Sequence, residues 1–398
     1  MIYLAILALL LFLSFRYDIC GKKGNKEQWY FIVLCVFILF AGLRWRVGYD
    51  AIHYLHNFYH EYPSLSDFSF EEYYIGKDPF YVLLNSFVKS IGGRFYVVQL
   101  IHATFVNVLI LNYFKRHCQY IFTCCMFYFL LSYISFSMEI MRASFSIVIC
   151  LYAFDYFIEK KWIKGYALLL VATMFHAQTL ALFLLPAFLF LRLNRKGLLM
   201  LMGAYLLGMF LQNLLADYIF LFEGNGNLED KLTTYTSEYS ELGKNTHNIN
   251  YFIVNIFPKI FYPLFTLWYI KKYNKCVNLM RLEPMIMLGV IFALIQTNFL
   301  VAYRYVEYFT IYFSIFYAET FIDMIKKSKK IGIGVAYFKT ILFMIPLTLT
   351  FLYLLKQPKW IYRSVLDKTV SKEAENDLKD TWIRPGSDSY YPPNYNEY

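Results

Sequence analysis

Acidic pairs of the DxD kind are missing from this 398-residue chain, as are an HExxH-type helix, a convincing internal repeat and any cysteine in a segment expected outside a membrane. Without the acidic pair or the metal-binding helix, whatever chemistry the chain performs is expected to need neither metal nor cofactor. Cys35, Cys124, Cys125 and Cys150 fall inside apolar segments, and Cys20, Cys118 and Cys276 fall in basic loops. That distribution points to neither a disulfide nor a zinc framework. Lys and Arg outnumber Asp and Glu by 38 to 28, yet the surplus collects in short clusters between apolar segments and forms no groove-like stripe. Such clusters are topology signals, and no nucleic-acid partner is expected.

What the chain has in abundance is apolar length. Hydrophobic residues make up 59% of it and aromatic residues 21%, against roughly 45–50% apolar content in a soluble domain. A helical span needs about 20 mostly apolar residues, and such stretches follow one another almost end to end; the fold class implied is an all-α integral membrane protein, a polytopic helical bundle of about 10–12 transmembrane helices. The segments are too long and too uniformly apolar for the dyad alternation of an outer-membrane barrel. The opening MIYLAILALLLFLSF lacks a basic n-region and is followed by large and charged residues, so it is expected to be the first span and not a cleaved leader.

Candidate spans run at about 1–15, 29–43, 94–114, 119–136, 139–158, 197–222, 251–270, 284–303, 305–325 and 331–355, with shorter pieces near 165–175 and 177–191. The basic clusters at 16–26, 115–116, 160–164, 192–196, 271–281 and 326–330 all alternate onto one face if both termini lie outside. That solution requires 79–92, with 14 residues and Lys89 among them, to be re-entrant or interfacial. It also requires 165–191 to leave the inner face and return within 27 residues, as two short spans or a re-entrant hairpin with His176 at the bend. The extracytoplasmic parts are then about 44–93 and 223–250, and the expected division is a transmembrane domain 1–355 followed by a polar extracytoplasmic tail 356–398.

Against this topology Arg44, Arg46, Arg142 and Arg304 stand at the ends of apolar segments on the face that Lys and Arg otherwise avoid. A charged guanidinium at bilayer depth costs roughly 2.5–3.5 kcal/mol on insertion scales, so four on the disfavoured face call for an anionic partner, of which phosphate is the leading candidate. Arg44 and Arg46, beside Trp45 and Tyr49, can anchor in the headgroup region or offer planar forks to phosphate oxygens. Gly48 permits a turn, after which Asp50, His53 and Tyr54 share a helical face, with Asp50 placed to cap it. His53, His56 and His60 fall on one face as well and read as polar aromatic surface, not as a metal site. Arg142 either pairs with Glu139 at i, i+3 or faces a cavity, with the small Ala143 and Ser144 beside it. His176 is a hydrogen-bonded packing residue or a general base. Arg304 pairs with Glu307 or, with Tyr303, Tyr305 and Tyr308, forms a lip for sugar and phosphate.

At these residues the chain resembles the EpsG family of exopolysaccharide polymerases, similar in role to the Wzy O-antigen polymerases. The resemblance is carried by RWRVGYDxxxY at 44–54, MRASFS at 141–146 followed by a basic EKKW turn, FHAQTL at 175–180 with Pro186 beyond, and RYxxYF at 304–309. Where relatives often show an acidic residue followed by Gly-Tyr, this chain reads Asp78-Pro79-Phe80-Tyr81. The resemblance implies a multi-pass protein of the bacterial inner membrane whose substrate is an undecaprenyl-pyrophosphate-linked oligosaccharide, with the lipid bilayer, a flippase and a chain-length regulator as surroundings or partners. Polymerisation would occur at the periplasmic face. His176 would be the general base, with Asp50 the second choice, and Arg44, Arg46, Tyr54, Arg142, Arg304 and Tyr305 would bind substrate. The residues also leave open a lipid-linked oligosaccharide flippase or transporter, a ligase-type transferase and a membrane acyltransferase. A flippase predicts charges spread through a two-lobed cavity and detectable repeats, whereas the arginines crowd one face.

Overall fold

The computed structural model describes residues 2–48, 50–74, 77–218, 252–274, 276–329, 332–356 and 362–366. The expected outer segment 223–250 lies outside them, as do Tyr49 and most of the tail 356–398. The helices are α1 (Ile2–Leu13), α2 (Lys26–Gly42), α3 (Ala51–His56), α4 (Pro79–Ser90), α5 (Phe95–His117), α6 (Ile121–Tyr128), α7 (Met141–Ile158), α8 (Trp162–Phe175), α9 (Arg195–Tyr218), α10 (Tyr262–Tyr269), α11 (Glu283–Gln296), α12 (Thr310–Lys329) and α13 (Ile333–Leu355). Among the described residues no strand forms, and the protein is an all-α membrane protein. Three of its described helical segments are long and apolar enough to cross a membrane by themselves: Ile2–Ile19, Phe95–His117 and Met141–Ile158. Leu4, Leu11, Phe12 and Phe15 on the first of these, and Leu199, Met202, Leu206 and Phe210 on α9, are exposed, as suits a surface solvated by lipid tails.

The chain divides into two compact units. The first comprises Met1–Arg116, Phe129–Leu185 and Phe351–Tyr398. In it α4 is 12 residues long, too short to span a bilayer, and is two-sided: Tyr81, Val82, Asn85, Ser86 and Val88 are buried while Phe87 is exposed. Asp78 precedes it in the left-handed region at φ 54°, with Pro79 supplying the preset first helical residue. Helix α7 begins only at Met141, after a π-helical run Ser135–Glu139 and a break at Ile140, so Arg142 sits in its first turn. Helix α8 ends at Phe175, His176 is extended (φ −158°, ψ 110°), and a 3-10 segment Ala177–Phe188 follows. The bend expected at His176 is therefore where the helical type changes.

The second unit comprises His117–Tyr128 and Pro186–Thr350. Its α9 packs on α11, where a Cβ on Gly208 would lie 2.7 Å from the Ile295 carbonyl oxygen. Only a residue without a side chain permits that approach. On the side of α11 facing α12, Phe292 stacks on Tyr305 at 5.2 Å and on Phe309 at 5.8 Å.

Candidate active site

In the first unit Arg142 and His176 come together at one carboxylate. Asp78 Oδ2 accepts a hydrogen bond from Arg142 Nη1 at 3.0 Å, and Oδ1 accepts from the Ala177 backbone N–H at 3.1 Å. His176 Nδ1 lies 3.9 Å from the same Oδ2, makes no hydrogen bond of its own, and its Nε2 is 3.1 Å from Gln178 Oε1. The start of α4, the first turn of α7 and the break after α8 are thus tied at a single side chain. The Asp78 side chain is 7% exposed and that of His176 16%, whereas Arg142 keeps 38%, so the guanidinium presents an open side while its counter-ion is enclosed.

Below these groups lies an aromatic floor. Phe175 stacks on Phe145 at 4.8 Å and meets Phe80 edge-on at 5.5 Å, which fixes the residue preceding His176 against both α7 and α4. Tyr54, buried on α3, has its ring 5.8 Å from the Arg142 guanidinium carbon and 5.8 Å from the ring of Tyr81. Burial, followed by the Arg142 charge, pushes His53 on the same helix below its ordinary value.

Arg44 is placed differently from its neighbours. It is fully buried; its guanidinium donates to the carbonyls of Ala41 and of Met138, the latter at 3.1 Å, and burial pushes it down to about 10. It is a packing cation beneath the surface and not an exposed fork. Arg46, at φ 51°, is half-buried with its guanidinium carbon 5.3 Å from the Trp45 ring. Asp50 occupies the N-cap position of α3 without a side-chain capping bond and is exposed; Gly48, at φ 102°, provides the turn before it.

Ion pairs here also join residues distant in sequence. Arg142 pairs with Asp78, 64 positions away, and Glu307 lies 3.4 Å from Lys259 Nζ. In the second unit Arg304 donates from Nε to the Tyr303 hydroxyl at 3.4 Å with its guanidinium carbon 5.8 Å from that ring, and Tyr305 is committed to the Phe292 stack. Asp78, noticed in the sequence only as a departure from the family pattern, is the residue whose place in the site sequence reasoning passed over. An acidic residue directly before a helix-initiating proline was the available signal.

The model of the EpsG family matches residues 28–364, which takes in every one of these positions. The chain belongs to the EpsG family. Membership makes it a membrane-embedded polysaccharide polymerase of glycosyltransferase type, as its motifs suggested. No curated protein and no solved structure matches it. Among the described residues no group of three or more His, Cys, Asp or Glu is arranged to hold a metal ion, and none of the seven cysteines is in a disulfide.

Proposed function

We propose that this EpsG-family protein joins undecaprenyl-pyrophosphate-linked oligosaccharide repeats at the periplasmic face of the bacterial inner membrane. A hydroxyl of one lipid-linked repeat attacks the anomeric carbon of the growing glycan on another. The new C–O bond replaces the bond to the diphosphate, undecaprenyl pyrophosphate leaves, and the hydroxyl proton passes to a base. The sugar–diphosphate bond supplies the energy, so no nucleotide is consumed, and fixed guanidiniums take the place of a metal.

The observation that carries the reading is the meeting of a partly exposed guanidinium and an imidazole at one enclosed carboxylate, Arg142 at 3.0 Å and His176 at 3.9 Å from Asp78. Negative charge grows on the leaving diphosphate, and a guanidinium already held in place stabilises it without reorganising. Arg142 takes that role, with Arg46 assisting from the neighbouring outer segment and Tyr54 shaping the guanidinium's aromatic side. His176 is the base; Asp50, exposed and farther along α3's entry, is the second choice. Arg44, being buried, supports the site from beneath. Arg304 and Tyr305 are assigned to substrate in the second unit on the strength of their motif and outer-face position.

Polymer length on a gel after Arg142→Ala, His176→Ala and Arg304→Ala, in cells with confirmed expression, tests the assignment. Short or absent polymer is expected from each. Arg142→Lys should fare little better, because a lysine cannot present a planar fork to diphosphate oxygens. Full-length polymer from all three alanine variants would end the reading.

A further inference from the structure

Asp78 presents a difficulty for any anion at Arg142. Its Oδ2 already occupies Nη1 of the guanidinium at 3.0 Å, so a diphosphate engaging the whole fork must compete with a carboxylate that the fold holds there. A permanent counter-ion would weaken the site for the very charge it is meant to receive. Yet a second place for that oxygen is close by. His176 Nδ1 is buried, makes no hydrogen bond, and lies 3.9 Å from the same Oδ2. A movement of about 1 Å would bring the two into hydrogen-bond range. Among the described residues the one other side-chain bond to be surrendered at Asp78 is that from the Ala177 N–H to Oδ1, and Ala177 adjoins the extended residue at which α8 gives way to the 3-10 segment.

We infer that Asp78 is a transferable counter-ion: it guards Arg142 while the site is empty and passes to His176 when a diphosphate takes the guanidinium. The inference rests on the assignment of Arg142 to the diphosphate and of His176 to the base. Its consequence is a coupling of the two. Arrival of the donor releases the carboxylate, which then accepts from the His176 Nδ1–H and leaves the Nε2 lone pair as the proton acceptor, with Gln178 Oε1 giving up its place there to the acceptor hydroxyl. When the acceptor hydroxyl gives its proton to Nε2 and its oxygen bonds to the anomeric carbon, the imidazolium that forms faces Asp78, and the electron pair of the broken bond leaves on the diphosphate against Arg142. Asp78 is a positioning residue in this scheme, acting through two others. An empty site is thereby kept neutral and its base unprimed.

The test is the affinity of the purified full-length protein for inorganic pyrophosphate by calorimetry, for the wild type and for Asp78→Asn, beside the rate of glycan transfer. Removing the competitor is expected to tighten pyrophosphate binding about tenfold, since the binding-competent guanidinium is then always available. The same variant should lower kcat and move the acid limb of its pH profile downward, because the imidazolium has lost its carboxylate; Asp78→Glu should recover part of kcat. A carboxylate that only braces the fold predicts the opposite for the first measurement, namely binding that is weaker or unchanged, and that result would overturn the inference while leaving the diphosphate assignment intact. Absence of pyrophosphate binding by both proteins would remove the diphosphate assignment and the inference together. Should Asp78→Asn fail to fold, hydrogen exchange at the Ala177 amide of the wild type decides: pyrophosphate should accelerate it as Oδ1 turns away, and unchanged exchange at saturation would refute the transfer.

Discussion

Arg44 and Met138 are 94 positions apart in the chain and are joined by one hydrogen bond, from the guanidinium Nη2 to the Met138 carbonyl at 3.1 Å. The contact binds the exit of α2 to the π-helical run that leads into α7, three residues before Met141. On the same short stretch, Trp45 N–H donates to the Arg363 carbonyl and Val365 N–H to that of Leu43, each at 2.9 Å, so the C-terminal end of α2 is pinned from two sides.

Replacing Arg44 with Ala leaves the Ala41 and Met138 carbonyls without a donor in a buried site. A loss of about 2–4 kcal/mol is expected from those unsatisfied groups, read as a lower midpoint of thermal unfolding in detergent. Lys at this position should recover little, because a single ammonium cannot reach both carbonyls and resists desolvation. A variant as stable as the wild type would place Arg44 among the substrate-facing groups instead.

In the second unit the Glu283 carboxylate, at the first turn of α11, accepts from the Leu193 N–H at 2.7 Å and from Lys271 Nζ at 3.0 Å, with Arg192 Nε 3.7 Å away. The two cations are about two-fifths exposed, so screening reduces their share and the amide's bond to the buried carboxylate dominates. Glu283→Ala should cost about 1–3 kcal/mol. Glu283→Gln, whose carbonyl oxygen can still accept from Leu193, should cost clearly less; equal losses in the two variants would show that charge, and not the amide, is what matters there.

His53 links stability to pH. Its folded form holds a proton less readily than the ordinary value of 6.5, first because it is buried and then because Arg142 is near. The unfolded chain therefore binds the extra proton more readily, and acid favours unfolding. The stability is whole above 6.5 and declines as pH falls through and below it. His53→Gln should flatten the dependence of the unfolding midpoint between about pH 7 and pH 5; an unchanged slope would remove His53 from the titrating groups.

The inside-outside assignment can be read from native cysteines. Cys20 is exposed and lies in a basic loop assigned to the cytoplasmic face. A membrane-impermeant maleimide should leave the protein unmodified in spheroplasts and modify it in inverted vesicles. Labelling of Cys20 in spheroplasts would reverse the topology and, with it, the periplasmic site.

Much of the architecture could be read before any coordinates, because a bilayer enforces uniform apolar runs and leaves the polar exceptions conspicuous. The 79–92 segment was too short and too charged to span, and it forms the two-sided helix α4. The 165–191 segment lacked the length for ordinary spans, and its helix breaks at His176. Partnership was less accessible. Glu139 and Glu307 stood at helical spacing from Arg142 and Arg304, whereas Asp78 and Lys259, which reach Arg142 and Glu307 from 64 and 48 positions away, stood at no such spacing. Local spacing cannot report a neighbour brought in by packing.

Composition and the alternation of basic clusters determined by themselves that this is a helical membrane protein, and four ordered motifs determined its family, since both are properties of residue type and order along the chain. Which arginine is buried and which is open, and that Asp78 stands between Arg142 and His176, only the tertiary structure decided. The reason is physical: hydrogen bonds to Asp78 from a side chain 64 positions away and a backbone N–H 99 positions away depend on where three helix ends meet, and no periodicity within any one of them encodes that meeting.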